Sequence, residues 1–226
     1  MTVEREFIDM PARIARLPRD ERGFPVPAFV EWIDGKPDFR VMSTKHFARA
    51  INQNRCWLCD GQLGRHKAFV TGPMCAVNRI NSEPPSHYEC AKFAARNCPF
   101  LTRPLAKRNE RDMPEHGEQA GLPIDRNPGV VAIWITETYK PFKPHAGNAG
   151  WLIQLGAPSR VEFWAQGRPA KRVEVELSVS TGLPFLRDTA AKHDGPEGMQ
   201  ELERQVKVFE RLLDQVFIDK GTGTMQ

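Results

Sequence analysis

All five cysteines of the chain fall between Cys56 and Cys98. Two of them form Cys56-Trp57-Leu58-Cys59-Asp60-Gly61, a tight-turn spacing that lets two thiolates face one cation. Downstream, His87-Tyr88-Glu89-Cys90 repeats the spacing with an imidazole and a thiol. Two such pairs close a tetrahedron, which is how structural zinc sites are built. The clustering constrains how the first half of the chain can fold more than any other feature.

The preferred ligand set is therefore Cys56, Cys59, His87 and Cys90, holding a structural Zn²⁺. Cys75 and Cys98 are rivals for the second pair. Buried reduced cysteines with no metal are the bland alternative, and an iron–sulfur cluster is a third reading. A helix start at residues 86–90 favours thiolate over thiol, through the partial positive charge of its free N–H groups.

With 226 residues, 40% hydrophobic and 27% charged, the chain suits one large or two small globular domains. No window approaches the roughly 20 apolar residues of a membrane span, so no membrane partner is expected. Met1–Asp20 mixes acids and bases without an apolar stretch, so it does not read as a secretory signal. A reducing cytoplasm is the expected location. The net charge of +4 is uneven, and residues 61–112 carry nine Lys/Arg against four Asp/Glu. The excess sits with the cysteines and permits nucleic-acid contact without establishing it.

Along the chain, Glu4–Arg16 reads as a helix. Val26–Ile33 and Phe39–Met42 flank Asp34-Gly35, a hairpin signal. Ser43 or Thr44 caps a helix with Phe47, Ala48 and Ile51 on its apolar face. Residues 61–75, broken at Gly72-Pro73, read as a second short hairpin. Ser86 reads as the cap of a helix whose first turn holds His87 and Cys90, ending at Cys98-Pro99. Knuckle, hairpin and ligand-bearing helix in that order suggest a treble-clef-like zinc site.

Residues 103–129 read as a linker or long loop between a zinc-binding lobe, 1–102, and a sheet-plus-helix lobe, 130–226. Val130–Thr136, Trp151–Leu155 and Val161–Trp164 read as strands of a small antiparallel sheet. Residues 171–181 alternate like a strand, but Gly182 and Pro184 mark a helix end, and helix is the reading adopted. Leu202, Val206, Phe209, Leu213 and Phe217 make an amphipathic helix of about Pro196–Ile218. The expected fold class is α+β: a zinc-binding lobe, then a small antiparallel sheet packed with C-terminal helices.

Three other constellations bear on function. Tyr139, Lys140, Phe142 and Lys143 interleave aromatics with cations ahead of the Gly-rich His145–Gly150, a pattern suited to stacking bases and holding phosphates. Arg65 and Lys67, with Arg103, Lys107, Arg108 and Arg111, supply cations near the cysteines. Each also has a bland reading as hairpin turn or solvated surface. His66 and Asn78 loosely match the metal finger of HNH nucleases, but the usual Asp-His pair on its first strand is missing.

The signature Cys56–Gly61, Gly72-Pro73-Met74-Cys75-Ala76-Val77-Asn78-Arg79, Glu83–Ala91 and Cys98–Leu101 resembles that of a group of uncharacterised bacterial and phage-encoded proteins. Gly23–Pro27, Pro37–Val41, Gly167–Arg172 and Thr181–Pro184 extend the likeness over most of the chain. It implies a coherent protein of phage or bacterial origin and no particular activity, and it favours helix over 171–181. The leading expectation is a zinc-stabilised binding protein that contacts nucleic acid or a host protein. The alternatives are a metal-dependent, HNH-like nuclease and a purely structural or inhibitory interaction protein.

Overall fold

The hairpin signal at Asp34-Gly35 is realised directly. Strands β1 (Val30–Ile33) and β2 (Lys36–Met42) pair antiparallel across it. Both turn residues have positive φ, 49° and 74°, as a two-residue type I′ hairpin requires. The computed structural model describes residues 5–104, 128–144 and 150–222. Ahead of the hairpin, the helix expected over Glu4–Arg16 shortens to α1 (Ala12–Ala15). Pro11 is its N-cap, and a proline disfavours helical backbone in the residue before it.

Helix α2 (Thr44–Asn52) starts at Ser43, whose hydroxyl accepts from His46 N–H at 3.4 Å. The second hairpin, expected over 61–75, does not form. Ala68-Phe69-Val70 does become a strand, β3 (Lys67–Thr71), but the chain does not turn back at Gly72-Pro73. Pro73 instead opens helix α3 (Pro73–Asn78), where its fixed φ and missing N–H cost nothing. The short strand β4 (Ile80–Asn81) follows.

Helix α4 (Tyr88–Asn97) starts one residue later than a Ser86 cap would place it, with His87 as N-cap. Ser86 is committed elsewhere: its N–H and C=O bond the backbone of Ala68 at 2.7 and 2.9 Å. Cys98 then joins α4 to the single turn α5 (Pro99–Thr102).

The remaining strands are β5 (Val131–Thr136), β6 (Tyr139–Phe142), β7 (Leu152–Leu155), β8 (Pro158–Ala165) and β9 (Arg168–Pro169). They assemble as a four-stranded sheet, β3-β5-β8-β9, and a three-stranded sheet, β4-β7-β6. Both contain strands from residues 1–102 and from 130–226, so the division into lobes does not extend to the sheets. All six residues of β5 are buried. Val131, Ile133 and Ile135 face α4 with Ala91 and Ala95, while Ala132 and Trp134 join the larger core with Phe69 and Phe163. Burial on both faces is why β5 reads as one unbroken apolar run.

Helices α6 (Arg172–His193) and α7 (Gly195–Thr222) pack on each other and with α3. The helix reading of 171–181 holds, but α6 continues through Gly182 and Pro184, where an end was expected. Gly182 is buried, and Leu183, Leu186 and Ala190 beyond it pack into the core. That burial outweighs the lost hydrogen bond at Pro184. At the helix start Glu174 accepts from Lys171 N–H at 2.7 Å and from Arg168 at 2.6 Å. Along α7, Leu202, Val206, Phe209 and Leu213 are all buried.

The result is layered: α4 on one face of the four-stranded sheet, and α3, α6 and α7 on the other. No described helix is long and apolar enough to cross a membrane. Phe163 is fully buried, with ring centroids 6.0 Å from Phe209 and 6.2 Å from Phe217. Phe163→Ala should lower unfolding stability by about 3–5 kcal/mol, read as a lower urea midpoint at unchanged slope.

Candidate metal centre

The first donor pair lies in the loop between α2 and β3. Cys56 N–H bonds Gly61 O at 2.8 Å, and Asp60 N–H bonds Cys56 O at 2.9 Å. These close the turn and point both thiols the same way. Asp60 takes a left-handed φ of 55° to do so. The second pair is set by the start of α4, with His87 at the cap and Cys90 in the first turn. Because α4 rests on the sheet through Ala91 and Ala95, this pair is fixed to the core.

The four donor atoms of Cys56, Cys59, His87 and Cys90 all lie within 4.8 Å of one another. Cys56 and Cys90 are fully buried. His87 Nδ1 lies 3.4 Å from Cys59 Sγ and 3.9 Å from Cys90 Sγ. A tetrahedral ion with bonds of about 2.3 Å to sulfur and about 2.0–2.1 Å to nitrogen has edges of roughly 3.6–3.8 Å. The cluster can therefore hold a single metal ion.

The surroundings are arranged for anionic sulfur. Cys59 N–H and His87 N–H point at Cys56 Sγ, at 3.5 and 3.4 Å. Hydrogen bonds from Cys59 and then Cys90 push the Cys56 thiol far below its ordinary range, against the opposing effect of burial. The same contacts with Cys56 and Cys59 drive Cys90 far up. Three touching sulfurs cannot all ionise unless a cation sits among them. Hydrogen bonds to Cys56 and Cys59 raise His87 to about 10.

The outer nitrogen of His87 is also engaged. Nε2 lies 2.9 Å from Gln62 O and 2.7 Å from Arg13 Nη1, and Arg13 Nε reaches Glu89 at 3.4 Å. With Nδ1 on an ion, Nε2–H donates to the Gln62 carbonyl, the usual support for a ligating imidazole, and Arg13, which can only donate, does not bond Nε2 in that state. Neither Gln62 nor Arg13 was signalled by the spacing of the cysteines.

The rivals Cys75 and Cys98 are not members of this cluster. Burial raises both thiols, and Glu83 is a further, smaller cause in each case. Glu83 itself is half-buried, and burial raises its carboxyl from 4.5 to about 7.

The residues read as nucleic-acid contacts are only partly free to act so. Arg65 Nε lies 2.8 Å and His66 Nε2 3.4 Å from the Glu137 carboxylate. Lys67 Nζ donates to the carbonyls of Gly64, Arg65 and Glu137. Tyr139 pairs with Leu155 on the buried side of its sheet and packs its ring on Phe69 at 5.6 Å, so it is not placed to stack a base. Lys140 and Lys143 are exposed. Lys143 Nζ sits 5.4 Å from the ring centroid of Trp151, which is 45% exposed. Trp151 is thus the available ring, and the sequence reading missed it by treating it as a strand start. Arg103 is exposed after α5, whereas Lys107, Arg108, Arg111 and most of His145–Gly150 lie outside the described residues. Asn78 is the last residue of α3, and its Oδ1 accepts from Ile80 N–H at 3.0 Å as the chain leaves the helix.

No protein-family model, curated protein or solved structure matches the chain. Fold and site together define an α+β protein with a buried Cys₃His cluster on a sheet-packed helix.

Two outcomes test this geometry. A Cβ at Gly61 would lie 3.2 Å from His87 Cε1 and 3.3 Å from Cys59 Sγ, while one at Gly64 meets nothing within 4 Å. Gly61→Val should weaken Co²⁺ or Zn²⁺ binding roughly tenfold or more in competition with a chelating dye, and Gly64→Ala should not. Glu83 ionises near 4.5 when unfolded but keeps its proton to about 7 when folded, so stability falls as pH rises through that window. Glu83→Gln should therefore raise the urea midpoint relative to the parent at about pH 8 and leave it unchanged at about pH 4.5.

Proposed function

We propose that Cys56, Cys59, His87 and Cys90 hold one structural Zn²⁺ between the α2–β3 loop and the start of α4, a site that keeps the knuckle and ligand-bearing helix of a treble clef without its hairpin. On this reading the chain is a zinc-stabilised binding protein, of the bacterial or phage-encoded kind its cysteine signature resembles, and its partner is single-stranded nucleic acid. The observation that carries the reading is the mutual approach of four protein donors to within 4.8 Å.

Three sulfurs and an imidazole suit zinc among the common ions, and four protein ligands leave no open position for a substrate. A closed shell argues for a structural ion rather than a catalytic one. The compact donor set also favours a lone ion over an iron–sulfur cluster, whose thiolates ligate different irons. A nuclease reading draws little support from His66, which faces Glu137, or from Asn78, which ends α3.

Nucleic acid is favoured by Lys140, Lys143 and Trp151 on one hairpin, a cation and ring pairing that accepts phosphate and base without sequence preference. Arg65 contributes less, because the Glu137 carboxylate offsets it, and Lys67 is tied to the backbone carbonyls of Gly64, Arg65 and Glu137. A host-protein partner is the second reading, favoured by Trp32 and Phe39, 47% and 39% exposed on the β1–β2 hairpin.

One experiment with two arms tests the proposal. The purified chain should carry one zinc per molecule by elemental analysis, and Cys90→Ser should lose it and unfold. The zinc-loaded parent should bind an oligothymidylate at low salt, weakening steeply as salt rises. Lys140→Gln/Lys143→Gln should flatten the salt slope by about 1–2 units, and Trp151→Ala should weaken binding at every salt concentration. A zinc-free folded chain would overturn the metal assignment. Zinc without oligothymidylate binding would overturn the nucleic-acid assignment alone.

A further inference from the structure

Five buried polar side-chain atoms among the described residues have no hydrogen-bond partner, and four belong to one neighbourhood beside the metal cluster. They are His46 Nε2, Arg55 Nε, Trp57 Nε1 and Asp60 Oδ1. Leaving such groups unpaired forfeits the hydration they had in the unfolded chain, so a concentration of them calls for a physical account.

The geometry is specific. Asp60 follows the ligand Cys59, and its Oδ2 is already held by Arg49 Nη2 at 2.9 Å. Its Oδ1 lies 3.9 Å from His46 Nε2 and 3.8 Å from Arg55 Nε. Both separations are too long for a direct hydrogen bond, yet both atoms of each pair can lie about 2.8–3.0 Å from one shared oxygen. The indole of Trp57, only 2% exposed, is fixed by stacking on Phe29 at 4.8 Å and lies 5.6 Å from the His46 ring.

The donor and acceptor balance selects the ligand. Arg55 Nε–H and Trp57 Nε1–H can only donate, and Asp60 Oδ1 can only accept. Burial lowers the pKa of His46, which favours the neutral imidazole, whose Nε2 can accept or donate according to tautomer. An anion would be repelled by Asp60, and a cation by Arg55. A neutral molecule with two hydrogens and two lone pairs complements Arg55, Asp60 and His46, and each of the two separations from Asp60 Oδ1 suits one bridging oxygen.

We propose that a single buried water is a built-in ligand of this cluster. It accepts from Arg55 Nε–H, donates to Asp60 Oδ1 and bonds His46 Nε2, as donor or acceptor according to the tautomer. By doing so it fastens α2, which carries His46 and Arg49, to the loop of Cys56 and Cys59. The inference does not depend on the nucleic-acid reading.

The test is a crystal structure of the metal-loaded full chain at about 1.5 Å resolution, beside one of Arg55→Met. The parent should show one fully occupied water peak within hydrogen-bond distance, about 2.7–3.2 Å, of Arg55 Nε, Asp60 Oδ1 and His46 Nε2. In Arg55→Met the peak should be lost, with the metal content unchanged. Three outcomes would overturn the proposal: direct hydrogen bonds among the three side chains with no peak, a heavier scatterer at the position, or a water that persists in Arg55→Met. Metal analysis of the same crystals keeps failure of the water distinct from failure of the metal site.

Discussion

Three sulfurs and an imidazole nitrogen lie within 4.8 Å of each other, an arrangement in which all three sulfurs can ionise together only around a cation. Much of the first half of the chain is organised around that demand. The loop after α2 tightens through Cys56 and Gly61, Asp60 accepts a left-handed backbone, and two main-chain N–H groups turn toward Cys56 Sγ. The helix carrying the other two donors gives its apolar side, Ala91 and Ala95, to the sheet. The cluster is thus embedded in the core and does not hang from the surface as a separate finger.

The electrostatics outside the cluster follow a different logic. Arg65 and His66 face the Glu137 carboxylate and Lys67 bonds backbone carbonyls, so part of a run that looks basic in sequence is offset in space. On the next hairpin Lys140 and Lys143 have no such acid among the described residues, and Lys143 stands over Trp151. The net positive excess near the cysteines says less about where an anion would bind than the placement of these few side chains.

Legibility in the sequence followed the range of the interaction involved. The Cys56–Cys59 and His87–Cys90 pairs were readable because short spacing fixes local geometry. Strand β5 was readable because burial on both faces leaves Val131–Ile135 wholly apolar, and α7 because one buried face repeats at three and four. Where the deciding contact was distant, the reading failed. Gly72-Pro73 is as good a helix opening as a turn, and only the pairing of β3 with β5 settles which. Gly182 and Pro184 look like a stop until burial of the following turns is known. Tyr139 and Trp151 could not be sorted into inward and outward rings without the register of β6 on β7.

The pairing of β3 with β5 also bears on how the chain is assembled during synthesis. β3 ends at Thr71, and its strand partner begins at Val131, so the partner leaves the ribosome later. In the interval the neighbour available to β3 is Ser86, through two backbone bonds. All four cluster donors emerge by Cys90, before any residue of β5. An ion captured then would hold the nascent segment in a near-final shape and shield an apolar strand until its neighbour arrives.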